Sequence, residues 1–271
     1  GALARVCRTF DLPMPDIISE SGRALTAHHA VLLTQVIDSE LASTPAAADL
    51  SAELSPGATL DRAERSLADV QARFLAGDIG LKERAAAEAE AVSIYRAVAA
   101  HAGDNDDERA AVTAAQEKLA AKYFVNFSVF QSVPDVWALD QVFPVMPLSR
   151  LDERPTERAR LCDLTCDSDG RMDRYVDDDG LDASLPLHAL EPGTPYRLGI
   201  FLVGAYQENL GDMHNLFGDT DVVNVEIDGE GWRLAGAEQG DRADELLRYV
   251  HFEPEALRVA YRRKLAAAGL G

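Results

Sequence analysis

Four short segments carry residue types that can do chemistry. In Ser19-Glu20-Ser21-Gly22-Arg23 a carboxylate is followed by a glycine and an arginine. Glycine lets the backbone approach a bound group closely, and the arginine fork matches phosphate oxygens. A strand end running into such a loop is where parallel α/β barrels build their sites. The structural alternative is a Glu20–Arg23 pair beside a tight turn. In Asp163-Leu164-Thr165-Cys166-Asp167-Ser168-Asp169-Gly170 a cysteine sits among carboxylates. It can serve as a proton donor, a nucleophile or a ligand, or be a buried structural thiol. Neighbouring negative charge disfavours the thiolate, so the pattern favours a thiol that keeps a proton to give. A calcium loop is the rival reading, but its glycine comes too early and its closing glutamate is missing.

Gly204-Ala205-Tyr206-Gln207 follows the apolar run Leu198–Val203. A tyrosine hydroxyl at a strand end can bind phosphate, or sit in the core with its hydroxyl satisfied. The segment Gly211–Asp219 frames His214-Asn215 between glycines, in a loop that either shapes a site or simply packs. No metal-ligand set is assigned. His28 and His29 would point about 100° apart on a helix, and Cys162 and Cys166 have no second ligand pair. Asp177-Asp178-Asp179-Gly180 reads as a solvated turn.

The elements that must position these segments fall into four regions. Residues 1–34 hold a short helix, a turn with Pro13 and Pro15, and Ile17-Ile18, which suits a short buried strand. Residues 35–122 are alanine-rich. Leu60, Ala63, Leu67, Val70 and Phe74 follow helical spacing, as do Val112, Ala115 and Leu119. Gly77, Gly80 and Gly103-Asp104-Asn105-Asp106 punctuate them, predicting a small antiparallel bundle with a structural role. Residues 123–252 read as a β-domain, an antiparallel barrel or sandwich. Its strand candidates are Tyr123–Phe130, Ala159–Leu164, Tyr196–Val203, Val222–Ile227 and Trp232–Ala235. Residues 253–271 hold a terminal amphipathic helix, with Pro254 in its first turn.

Composition narrows the function classes. The chain has 271 residues, with 26 Lys and Arg against 46 Asp and Glu, a net charge of −20. That disfavours a general nucleic-acid binder and docking on anionic lipid. No apolar run is long enough to span a membrane. Three cysteines cannot close a disulfide framework and fit a reducing, cytoplasmic setting.

Together, Ile17–Ala30, Phe130–Pro147, Asp163–Gly170 and Gly204–Asp219 resemble the biosynthetic arginine decarboxylases. These are a branch of the pyridoxal-phosphate (PLP) decarboxylases of the alanine-racemase fold, alongside ornithine and diaminopimelate decarboxylases. The resemblance implies an α/β-plus-β enzyme in which a (β/α)8 barrel holds PLP and a β-domain completes the site. Residues 1–34 would then be the last βα unit of the barrel. Glu20 corresponds to the acid facing the pyridine nitrogen, which keeps the ring an electron sink. Gly22 and Arg23 correspond to the phosphate-binding turn, and Tyr206 to the tyrosine on the phosphate. Ser21 stands where the ornithine branch has proline. Cys166 corresponds to the thiol that reprotonates the α-carbon, and Asp167 to an acid at the distal end of the substrate. A guanidinium needs a carboxylate there, and Asp135 and Asp140 are further candidates, although Asp135 also suits a helix N-cap.

The implied reaction is L-arginine to agmatine and carbon dioxide, in polyamine biosynthesis. Ornithine, lysine or diaminopimelate decarboxylation and a non-catalytic dimerising paralogue are the alternatives. The implied assembly is a homodimer, or a tetramer built from it, with each site between two subunits. Mg2+ dependence is also implied, with no ligand assignable. None of Lys82, Lys118, Lys122 and Lys264 suits the cofactor's lysine. That lysine is expected in a part of the barrel outside this sequence, and the chain alone is expected to be inactive.

Overall fold

The structure, a computed structural model, describes residues 2–41, 46–48, 54–177, 180–229 and 231–270. Asp178 and Asp179 of the expected solvated turn lie outside them. Helix α1 (Ala2–Thr9) leads into an exposed segment that ends at α2 (Gly22–Thr26). A single 3-10 turn, Ala27–His29, then feeds strand β1 (Val31–Glu40).

Three helices follow: α3 (Pro56–Ala76), α4 (Leu81–Ala99) and α5 (Asp106–Leu119). Their ends are set locally. The Ser55 side chain accepts from the Ala58 amide at 3.3 Å, Pro56 opens α3, and Gly77 closes it at φ 81°. Asn105 accepts from the Glu108 amide at 3.0 Å, with three acidic residues in the first turn of α5. Leu60, Ala63, Ala91, Tyr95, Val98, Ala111 and Ala115 form the bundle's own core. The alanines let the helix axes approach closely, and the three helices pack together between residues 56 and 119.

The chain then returns to the sheet with β2 (Ala121–Val125), α6 (Val129–Ser132), α7 (Asp135–Leu139), β3 (Val145–Pro147) and β4 (Glu157–Cys162). Short strands β5 (Arg171–Met172), β6 (Tyr175–Asp177), β7 (Gly180–Asp182) and β8 (Leu185–Leu187) precede the longer β9 (Tyr196–Phe201). Helix α8 (Gln207–Leu210), the hairpin β10 (Val222–Asp228) and β11 (Gly231–Glu238), and helices α9 (Ala243–Tyr249) and α10 (Pro254–Ala267) complete it. The main sheet runs β3-β9-β1-β2-β4-β5, with β8 also paired to β4. Its inward faces alternate as a half-buried strand must: Ala121, Tyr123 and Val125 are buried while Lys122 is exposed. Tyr123, Leu161, Leu187, Leu198 and Ile200 sit at the centre of the main core.

Four features depart from the expectations. Ile17 and Ile18 form no strand and are exposed, because no neighbouring strand among the described residues can satisfy their backbone. Residues 35–40 continue β1 instead of starting the bundle: Val36 still faces the core, and beyond a bulge Asp38, Ser39 and Glu40 pair with Phe124, Tyr123 and Lys122 of β2. The strand from Tyr123 stops at Val125, where Ser128 caps α6 through the Gln131 amide at 3.4 Å. The sheet is mixed: β2 and β4 run parallel, Tyr123 beside Leu161, because α6, α7 and β3 supply a crossover between them. Glu117 docks the bundle on this sheet, lying 3.4 Å from Arg158 and 3.5 Å from Arg160 and accepting from Ser184 at 2.7 Å. Among the described residues no helix is long and apolar enough to cross a membrane.

Candidate functional site

Arg23 lies on α2, and two distant segments fix it. Its Nη2 pairs with Oδ2 of Asp135, in the first turn of α7, whose side chain is only 3% exposed. Gln207 Nε2 donates to the same Oδ2 at 2.7 Å and to the Ala205 carbonyl at 2.9 Å. Gln207 Oε1 accepts from the Asp135 amide at 3.2 Å. The guanidinium carbon stands 4.9 Å from the centre of the Tyr206 ring, a cation–π contact. Arg23 Nε is buried and has no hydrogen-bond partner among the described residues.

The backbone allows this convergence at two glycines. A Cβ on Gly22 would overlap the Tyr206 hydroxyl, and one on Gly204 would overlap the His29 ring and the Thr26 carbonyl. Tyr206 itself adopts φ 71°, unusual for a side chain of its size. That turn drops the ring onto Gly22 and starts α8, so that Gln207 points at Asp135. The arrangement is an oriented cation beside a tyrosine hydroxyl and a bare backbone turn, which suits an oxyanion.

The second candidate region is the loop 163–170. Asp163 is buried and organises it. Oδ2 accepts from the Val129 amide of α6 at 2.8 Å, and Oδ1 accepts from the amide and hydroxyl of Thr165, both at 2.8 Å. The Asp163 amide donates to the Gly170 carbonyl at 2.7 Å, and a Cβ on Gly170 would overlap the Asp163 carboxylate. Cys166 rides this loop with its side chain exposed, so it is not a buried structural thiol. Its amide donates to Asn215 Oδ1 at 2.9 Å. Asp167 Oδ1 accepts from the Asp169 amide at 3.0 Å. Burial pushes the neighbouring Cys162 thiol up from its ordinary range.

Gly22, Arg23, Tyr206 and Asp135 thus share one cluster, and Cys166 and Asp167 share one loop. Arg23 pairs with Asp135, so the Glu20–Arg23 alternative is not formed; Glu20 is exposed on the approach to α2. The N-cap position of α7 is Pro134, with Asp135 just inside. Asp140 ends that helix at φ 53°, mostly exposed, 3.6 Å from Arg174. Gln207, Asp163 and Asn215 were within the singled-out segments but had no assigned role. Their polar side chains next to positions of special backbone geometry were the available signal. Among the described residues no group of three or more His, Cys, Asp or Glu side chains converges to hold a metal ion.

Comparison with known proteins follows the same lines. A family model described as the arginine decarboxylase C-terminal helical extension matches residues 243–271, which hold α9 and α10. The chain is 51% identical to the biosynthetic arginine decarboxylase of Alkalilimnicola ehrlichii, over 99% of this chain and 46% of that protein. With the enzyme of that name from Pseudomonas aeruginosa it shares 46% identity, over 100% of this chain and 46% of the relative. The crystal structure of the biosynthetic arginine decarboxylase SpeA from Campylobacter jejuni superposes with a TM-score of 0.68 at 31% identity, covering 97% of this chain and 44% of that one. The chain therefore spans about half the length of the curated relatives it matches. The resemblance read from the four sequence segments is borne out across nearly the whole chain.

Proposed function

We propose that this chain is a C-terminal portion of a PLP-dependent arginine decarboxylase, which converts L-arginine to agmatine and carbon dioxide. The observation that carries the reading is the convergence of Gly22, Arg23 and Tyr206, with Arg23 Nε buried and unpartnered among the described residues. A buried N–H without an acceptor is costly, about 1–3 kcal/mol, and a phosphate oxygen is the partner its charge and geometry suit. The residues present therefore fit the phosphate end of PLP. Arg23 and the Tyr206 hydroxyl would hold it, and Glu20 would face the pyridine nitrogen.

When bound, PLP supplies an electron sink for the pair left by the departing carboxylate. Arg23 orients the cofactor by binding its phosphate. Asp135 and Gln207 are positioning residues that hold the guanidinium in one plane. With its carboxylate committed to Arg23, Asp135 is not available to a substrate, which leaves Asp167 and Asp140 to receive the substrate guanidinium. Cys166 gives its Sγ proton to the substrate α-carbon. Lys118 and Lys122 pair with Glu64 and Glu40 at 3.0 and 3.1 Å, and Lys82 and Lys264 lie on α4 and α10. The lysine that carries the cofactor would come from elsewhere in the longer protein.

The site would be shared between subunits, with Arg23 and Tyr206 from one and Cys166 from the other. The test is carbon dioxide release from carboxyl-labelled L-arginine by the full-length protein, with ornithine, lysine and diaminopimelate in parallel. Release from arginine alone is expected. Release from another amino acid would overturn the substrate, and release from none would favour a non-catalytic paralogue. Mixing Arg23→Ala and Cys166→Ala subunits, each deficient in forming agmatine, should restore about a quarter of wild-type agmatine formation if sites are shared. No restoration would place both residues in one subunit's site.

A further inference from the structure

The geometry points to Asn215 as the positioning residue for the Cys166 thiol, an inference that rests on reading Cys166 as the proton donor. A side chain that must deliver a proton to one carbon rather than its neighbour has to be held within about 0.5 Å of its working position. Cys166 is exposed, so packing does not hold it. The bonds within its own loop fix Asp163, Thr165, Asp167 and Gly170 on either side. The amide of Cys166 itself is held from outside, by Asn215 Oδ1 at 2.9 Å.

Asn215 is in turn rigidly presented. It takes φ 51° in a turn where the Phe217 amide donates to the His214 carbonyl at 3.0 Å. The His214 ring lies 4.3 Å from the Phe130 ring, and the Asp212 amide donates to the Phe130 carbonyl at 3.0 Å. Phe130 belongs to α6, whose Val129 amide already holds Asp163. The two loops therefore hang from one short helix, and the Asn215–Cys166 bond closes the ring between them. Asparagine suits the post twice: its side chain reaches the amide, and it tolerates the left-handed backbone better than most residues.

The consequence concerns the fate of the proton. Delivered to the substrate α-carbon, it gives agmatine. Delivered instead to the cofactor carbon that bore the substrate nitrogen, it gives, after hydrolysis by water, the corresponding guanidino aldehyde and the aminated cofactor. A displaced Cys166 shifts this partition without abolishing loss of carbon dioxide. The experiment uses full-length holoenzyme and measures the aldehyde-to-agmatine ratio for wild type, Cys166→Ala, Asn215→Gly and Asn215→Asp. Glycine keeps the left-handed backbone while removing the acceptor, and aspartate restores an acceptor oxygen. Should Asn215→Gly fail to accumulate, Asn215→Ser, with its shorter reach, takes its place.

Asn215→Gly is expected to raise the aldehyde fraction about tenfold, with Asn215→Asp recovering most of the wild-type ratio. In the cofactor-free protein, the alkylation rate of Cys166 is expected to rise severalfold in Asn215→Gly. If Cys166→Ala shifts the ratio and Asn215→Gly leaves both ratio and alkylation rate unchanged, the positioning role is overturned and the proton-donor reading stands. If Cys166→Ala itself leaves the ratio unchanged, the proton-donor reading falls, and this inference with it.

Discussion

The Arg23 cluster and the Cys166 loop are built on opposite principles. Around Arg23 the functional side chain is pinned directly: an ion pair to a buried carboxylate, an aromatic face below it, and Gln207 bracing the carboxylate from behind. Around Cys166 the side chain is exposed, and it is the backbone amide that is held, by Asn215. A group that must stay still to bind a fixed anion gains from the first design. The thiol is placed by the second through its own backbone, since the bond from its amide to Asn215 sets where the side chain starts. Charge locks one region in place, and loop geometry shapes the other.

The sharpest way to break that contrast is Asp135→Ala. It strips the partner from a half-buried guanidinium and should cost about 2–4 kcal/mol of stability, read as a lowered denaturant midpoint. Asp135→Asn keeps the neutral hydrogen bonds and should cost clearly less. Equal losses would show that the charge of the pair, and not its hydrogen bonds, carries the whole contribution. Gly170→Ala ranks next. Its methyl group collides with the Asp163 carboxylate, so we expect about 1–3 kcal/mol, together with faster Cys166 alkylation as the loop opens. Unchanged alkylation would mean that Asp163 does not shape the thiol's setting.

A smaller effect separates the two neighbouring cysteines by pH. Cys166 should be alkylated first, being exposed, whereas Cys162 is half-buried with its thiol pushed above an ordinary value of 9.0, chiefly by desolvation. The neutral Cys162 thiol favours the folded state. Its contribution is present below that ordinary value and is lost as pH rises through the folded one. Tyr123, pushed up to about 12 by burial, acts with the same sign. Labelling of Cys162 should therefore lag until alkaline pH, and parity of the two rates at neutral pH would contradict the difference in burial. The smallest effect on stability belongs to Asn215→Gly. It removes one hydrogen bond at an exposed site and should cost under about 1 kcal/mol, so a larger loss of stability would recast Asn215 as part of the fold.

How legible these regions were in the sequence follows the range of their interactions. Two of the bundle helices, α3 and α5, could be read from their own spacing because signals such as Gly77 and Asn105 write their ends into neighbouring residues. The singled-out segments held Arg23, Tyr206 and Cys166 for a similar reason: turns and glycines leave local marks. The Arg23–Asp135 pair joins residues 112 apart, and such pairing leaves no local pattern. Asp135 therefore read as a candidate for substrate. Strand β1 ran on through residue 40 because its later residues are held by pairing with β2, which is distant in sequence. Ile17 and Ile18 failed in the opposite way. Their strand-like composition meets no partner strand among the described residues.

Glu40 of β1 sits opposite Lys122 of β2, the two joined by an ion pair at 3.1 Å. The chain thus leaves the sheet and re-enters it one strand spacing away. In entropic terms everything between is a hairpin loop, and lengthening such a loop costs only logarithmically with its length. The seam behaves as a graft point. A whole helical bundle could be exchanged there for a short turn, or a new domain spliced in, without sliding the register of the strands that carry the site. The requirement left behind is a fresh carboxylate for Arg160, which Glu117 now faces at 3.5 Å, whereas Arg158 keeps Asp182 at 2.6 Å.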